Sequence, residues 1–206
     1  SAKYMSCPRL ATNSSKLDMA CRNKCSPRRT CPGARPALRA VASASTGPVV
    51  EGNIGAGMGA TVGKIFGNAG AMKSGLGTAS LDVGGGVIVG AIVAVNAFGD
   101  VIDPATGEIV AGARPVKIGS VTVGGKGRFA DTLKVMRSAP GRTILGLAAK
   151  SNTVIGVVAT NARLDKAQAT KVARMAQDGL ARTIRPAHTM LDGDTLFALS
   201  TGSKRA

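Results

Sequence analysis

Apolar and polar positions change rhythm several times along this chain. Val83–Gly99 carries no charge at all. It falls short of the roughly 20 apolar residues that cross a bilayer, and Gly84, Gly85, Gly86 and Gly90 interrupt it, so it predicts no membrane span. A fully buried strand over about Val87–Ala97 accounts for it better. "GDVIDPATGE" follows as a turn punctuated by Pro104 and Gly107, and Lys117–Arg142, basic and weakly patterned, reads as a surface excursion. A second strand is predicted over Val154–Thr160. The period then lengthens in "LDKAQATKVARMAQDGLARTI", where Ala169, Val172, Ala176 and Leu180 form a narrow apolar stripe on a helix. Asp165 and Gln168 are spaced as a capping box at its start. Arg182 and Arg185 suit its C-terminal dipole, and Pro186 stops it. "TLFALS" gives a last short strand, and no internal repeat is seen.

Composition narrows the class. The 206 residues fit one domain, and 44% hydrophobic content is enough for a sizeable core. With 2% aromatics and no Trp, that core is built from Val, Ile, Leu and Ala. The 28 glycines favour close-packed layers and turns over a helical bundle. An α/β (α+β) domain is expected.

The net charge of +16 points at first sight to a polyanionic partner. It is unevenly placed. Residues 1–46 hold nine Lys or Arg against Asp18 alone, together with Cys7, Cys21, Cys25 and Cys31. Cys21 and Cys25 at C-x3-C spacing suggest zinc ligands, yet no second close pair accompanies them and the one histidine, His188, is remote. Residues 1–39 therefore read as a disordered basic tail with no metal site. No secretion signal precedes the cysteines, so disulfides are not expected. A basic nucleic-acid binder remains a competing class, opposed by the scarcity of aromatic side chains for stacking on bases.

Two short stretches invite chemistry. "GAGMGATVGK" approximates a dinucleotide fingerprint and a phosphate loop, but Met58 and Ile65 occupy positions that the loop reserves for Gly and Ser or Thr. "EGN", not a strand, precedes it. Glycines that let two backbones pack closely explain it equally. In "RPAHTMLDGDTLFALS", Asp192 and Asp194 flank Gly193 just before a strand. His188 with both acids would make three metal ligands within seven residues of one loop, an unusual arrangement, and a turn with solvated carboxylates is the plain alternative. What remains unexplained is Asn152-Thr153, where a polar cluster gives way abruptly to an apolar strand.

Taken together, "EGNIGAGMGATVGK", "KSGLGTASL", "VGAIVAVNAFGDVIDPATGEIVAGAR" and "NTVIGVVATNARLDKAQATKVARMAQDGLARTIRPAHTMLDGDTLFALSTG" resemble the DmpA-type peptidase family. That family comprises L-aminopeptidase/D-esterases, β-peptidyl aminopeptidases and endo-type nylon-oligomer hydrolases. The resemblance runs in order from about Ala37 to Gly202. It leaves residues 1–36 unmatched, and it stops before the family's C-terminal strands and helix, so the chain looks like a truncated member. It implies a partial αββα sandwich of the N-terminal-nucleophile type, with a core over residues 40–206 divided into 40–152 and 153–206. Cleavage of the precursor between Asn152 and Thr153 is implied, leaving Thr153 as nucleophile. Asn96 is then the oxyanion donor, although an Asn closing a turn before Gly99-Asp100 is its bland counterpart. Asp192 and Asp194 match the positions that orient the nucleophile; the pair of Asp with Thr is similar to the nylon-hydrolase branch, where aminopeptidases carry Ser and Glu. Lys64, with Lys73 as the other candidate, matches that branch's active-site lysine. Peptide or amide substrates, homo-oligomers and no cofactor are implied. No membrane anchor or nucleic-acid partner is expected, and the default location is the cytoplasm.

The chemistry behind the junction stands on its own. A threonine hydroxyl is a weak nucleophile that needs a base, and a freed α-amine, with an ordinary pKa of about 7.7 to 8, supplies one within the same residue. Each attack on a carbonyl develops an oxyanion, for which one fixed donor is worth about 2.7 to 4 kcal/mol. Two fragments on a denaturing gel separate such an enzyme from an inert remnant of the family, which stays as one chain, and salt-sensitive binding to DNA or RNA marks the nucleic-acid binder.

Overall fold

A computed structural model describes residues 34–138 and 152–204. The four cysteines and the expectations placed on residues 1–33 lie outside the described residues. The chain forms two compact units, residues 1–48 and 49–206. Within the first, helix α1 (Ala34–Ala42) takes up residues 34–39 of the segment expected to be unstructured.

The second unit is built on a four-stranded sheet. Strands β3 (Leu76–Asp82) and β4 (Ile88–Ala94) form an antiparallel hairpin, and the successive positive φ values of Gly84, Gly85 and Gly86 turn the chain between them. β4 pairs antiparallel with β9 (Ile155–Ala162), and β9 pairs parallel with β11 (Thr195–Lys204), giving the order β11-β9-β4-β3. A parallel pair requires a long crossover, and helix α3 (Lys166–Thr183) provides it. Its start is the capping box expected from the spacing: the Asp165 carboxylate accepts from the Gln168 N–H, and the Gln168 amide oxygen accepts from the Asp165 N–H. Leu180 from the apolar stripe packs with Val62, Ala97, Val154 and Ile184, against Val93 and Leu196 on one face of the sheet.

The pairing register puts Ile88, Ile92, Ile155, Val157, Phe197 and Leu199 on the other face. Among the described residues that face is open: Ile155 is 53% and Phe197 54% exposed. β4 is therefore not the fully buried strand its composition suggests, because among the described residues only one of its faces is covered.

Smaller elements surround this sheet. β1 (Thr61–Val62) pairs with β2 (Met72–Lys73), and β5 (Asp100–Ile102) lies between β6 (Ile109–Ala111) and β10 (Ile184–Arg185). Arg185 thus belongs to a strand and not to the helix end, since Ile184, buried in the core, is already extended. The segment Lys117–Arg142 is more than a surface excursion. A hairpin, β7 (Val116–Ile118) with β8 (Val121–Val123), and helix α2 (Thr132–Arg137) occupy its described part. Ala130 and Val135 are buried with Ile65, Phe98 and Ala113 in a second apolar cluster. The Asp100 carboxylate ties this region together by accepting from the Ala113 and Thr132 N–H groups and from the Thr132 hydroxyl. Burial raises its pKa, and those backbone and hydroxyl hydrogen bonds oppose the rise.

In "GAGMGATVGK", Gly57 and Gly63 act as backbone spacers. A Cβ on Gly63, whose φ is +66°, would collide with the backbone of Ala113, and one on Gly57 with the backbone of Leu76. Their role is packing. Among the described residues no helix is long and apolar enough to cross a membrane.

Candidate active site

The sheet topology determines which residues meet. β4 runs antiparallel to β9, and β11 runs parallel to it, so the residues just after β4 lie at the same end of the sheet as those just before β9 and β11. The first group holds Asn96, the second Asn152 and Thr153, the third Asp192, Gly193 and Asp194. Hydrogen bonds stitch the three together. The Thr153 N–H donates to the Asn96 carbonyl at 2.9 Å, the Gly193 N–H to the Asn152 carbonyl at 2.9 Å, and the Thr195 N–H to the Val154 carbonyl at 2.8 Å.

Lys64 enters from the segment after β1. The Gly63 and Lys64 N–H groups donate to the Gly99 and Phe98 carbonyls, which lays this segment alongside residues 96–99. The ammonium donates to the Asn96 side-chain oxygen at 2.5 Å and to the Asn96 backbone oxygen at 3.2 Å. That backbone oxygen also accepts from the Thr153 N–H, so the lysine and the Thr153 nitrogen converge on one carbonyl. Since Oδ1 also accepts from the Thr61 N–H, the orientation of the Asn96 carboxamide is set. Lys64 is only 2% exposed. Burial pulls its pKa down to about 8, against the opposing pull of the Asp192 charge. Lys73 lies on β2, exposed and paired with Thr61.

The two aspartates have different duties. Asp192 accepts from the Phe98 N–H through Oδ1 and from the Thr189 N–H and hydroxyl through Oδ2, which folds the loop onto the segment after β4. Asp194 accepts from the Val154 N–H at 2.9 Å through Oδ1, so it grips the backbone one residue past Thr153. Its Oδ2 lies 3.0 Å from Nδ1 of His188. Among the described residues no cluster of three His, Cys, Asp or Glu side chains is arranged to hold a metal ion, and His188 is engaged as a partner of Asp194.

At the junction the Thr153 hydroxyl is 2.6 Å from the Asn152 carbonyl oxygen. The same oxygen receives the Gly193 N–H, so the bond preceding the hydroxyl is polarised by a fixed donor. Gly193 has room for no side chain on this side: a Cβ there would lie 2.9 Å from the Thr153 hydroxyl. This backbone donor was not expected from the sequence, because any residue but proline carries an N–H and only the fold aims it. The Asp-Gly-Asp pattern was its one visible trace.

A family model, peptidase family S58, matches residues 29–206. The chain belongs to this family. It is 42% identical over 163 residues to an uncharacterized aminopeptidase of Mycobacterium leprae, covering 77% of this chain and 39% of the relative. A 6-aminohexanoate-oligomer endohydrolase of a Kocuria species is 31% identical over 158 residues, which is 75% of this chain and 41% of the relative. Among solved structures, a β-aminopeptidase of a Burkholderia species is similar over 82% of this chain and 38% of its own, with 29% identity and a TM-score of 0.48. The chain spans about two fifths of the length of the curated relatives it matches.

Proposed function

We propose that this S58-family chain is a self-processing amide hydrolase that cuts itself between Asn152 and Thr153 and thereafter uses Thr153 as an N-terminal nucleophile. The observation that carries the reading is the Thr153 hydroxyl set against a carbonyl already held by the Gly193 N–H. In the first step the hydroxyl oxygen adds to the Asn152 carbonyl carbon and gives up its proton. The carbonyl oxygen takes the negative charge beside the Gly193 donor. Collapse breaks the C–N bond, the nitrogen of Thr153 leaves as an amine that has taken up a proton, and an ester joins Asn152 to the Thr153 side chain. Water then hydrolyses the ester, leaving an Asn152 carboxylate and a Thr153 with a free α-amine.

In the mature site that amine is the base for its own hydroxyl. It hangs from the Asn96 carbonyl that Lys64 also contacts, and a neighbouring ammonium lowers the proton affinity of an amine, which keeps more of it neutral near pH 7. The Asn96 carboxamide, oriented by Lys64, serves as the donor for the substrate's oxyanion, while Asp194 holds the backbone at Val154 and Asp192 holds the loop. The substrates in keeping with the relatives' names are short peptides and amide-linked amino-acid oligomers.

A mass spectrum of freshly purified protein tests this. Two fragments meeting at Asn152 and Thr153 are expected from the native sequence, and one uncut chain from Thr153→Ala. A native chain that stays whole while folded refutes the reading.

A further inference from the structure

We propose that His188 is a positioning residue for the nucleophile, acting through Asp194; this rests on the reading of Thr153 given above. Asp194 is nearly buried, its side chain 5% exposed, and it makes two hydrogen bonds in opposite directions: one oxygen accepts from the Val154 N–H and the other faces Nδ1 of His188. A carboxylate held at one oxygen only can swing about its Cβ–Cγ bond. The second bond removes that freedom and fixes the strand start to which the Thr153 hydroxyl is attached.

The imidazole is itself anchored. Its Nε2 lies 3.3 Å from the Gln177 carbonyl on α3, so the ring bridges the crossover helix and the acid. Both partners are acceptors. A neutral imidazole donates to one of them, through Nδ1–H to the carboxylate, and an imidazolium donates to both.

The backbone shows that this position is constrained. His188 has φ of +54°, one of two non-glycine residues with positive φ among the described residues. Such a conformation is disfavoured for most side chains, and Gly, Asn, Asp and His are the residues that enter it readily. This dictates the choice of variants. His188→Gly removes the ring without adding backbone strain. His188→Asn retains the backbone conformation and places an amide N–H at the same bond distance from Cβ as the imidazole Nδ1.

The experiment follows wild type, His188→Gly and His188→Asn through two measurements. The first is the rate of self-cleavage during cell-free synthesis, read on denaturing gels. The second is hydrogen exchange at the Val154 amide in folded protein that also carries Thr153→Ala, so that every sample is one chain. His188→Gly is expected to slow cleavage by roughly ten- to a hundredfold, the scale set by a sub-ångström to ångström misplacement of a reacting group, and to speed exchange at Val154. His188→Asn is expected to restore both toward wild type, which a role confined to filling space does not predict. Wild-type cleavage and exchange in His188→Gly would overturn the proposal, as would failure of His188→Asn to restore either. Should the native chain itself stay uncut, the reading of Thr153 fails, and exchange at Val154 alone decides whether His188 positions the strand start.

Discussion

Replacing Gly193 by alanine tests the geometry of the junction most directly. The new Cβ would stand 2.9 Å from the Thr153 hydroxyl, where ordinary contact begins at 3.4 Å, so hydroxyl and loop must part by about half an ångström. The other atoms near that Cβ, the Asn152 carbonyl oxygen at 3.7 Å and the Thr153 Cβ at 3.9 Å, are at ordinary distance, so the strain falls on the Thr153 hydroxyl. Moving the loop also loosens the Gly193 N–H from the Asn152 carbonyl. Full loss of a donor at a developing oxyanion costs about a hundred- to a thousandfold, and a 1 Å misplacement about a hundredfold. Half that displacement with a weakened donor should slow self-cleavage by roughly ten- to a hundredfold. The assay is a time course of cell-free synthesis on denaturing gels, with thermal melting to establish that the variant folds. Gly179→Ala is the control, since a Cβ at this helical position meets nothing within 4 Å. Alanine there should leave cleavage unchanged and raise stability by about 0.5 to 1 kcal/mol. A folded Gly193→Ala protein that cleaves within about twofold of wild type would show that the approach of Gly193 to the hydroxyl has no part in the reaction.

Two further outcomes concern stability. The folded state holds the Lys64 pKa at about 8, below the ordinary 10.5, so a buried ammonium opposes folding. That cost is complete below about pH 8 and disappears as pH rises toward 10.5, because the unfolded chain binds the extra proton in that window. Wild type should therefore gain melting temperature relative to Lys64→Met between pH 8 and 10.5, and a gap that stays constant or moves the other way would contradict the assigned burial. Asp165→Ala removes the acceptor for the Gln168 N–H at the start of α3 and should cost about 1 kcal/mol in denaturant unfolding; an unchanged midpoint would mean that the capping box contributes nothing.

Local signals in the sequence were strong where a single element explains itself. The helix over residues 166–183 was visible in its stripe and cap, the strand over 155–162 in its β-branched run, and the turn at Pro104 and Gly107 in its punctuation. The basic stretch after Lys117 was harder to read. Its helix is short, and its stability comes from burying Val135 and from a distant carboxylate at Asp100, neither of which leaves a periodic pattern.

The site divides the same way. Resemblance to a family named Thr153, Asn96, Asp192, Asp194 and Lys64, because residue types at recurring motif positions are properties of a linear string. How these groups act on one another is not. That Asp194 holds Val154 and leans on His188, and that the Gly193 N–H points at the Asn152 carbonyl, follow from one antiparallel and one parallel pairing, which bring three distant strand ends to one end of a sheet, and Lys64 grips Asn96 because the segment after β1 is hydrogen-bonded alongside residues 98 and 99. Sequence by itself determined which chemical groups this protein carries and the local shape of its longer elements, since both depend on neighbours along the chain. Tertiary structure alone decided their directions, burial and charge, since those depend on neighbours through space.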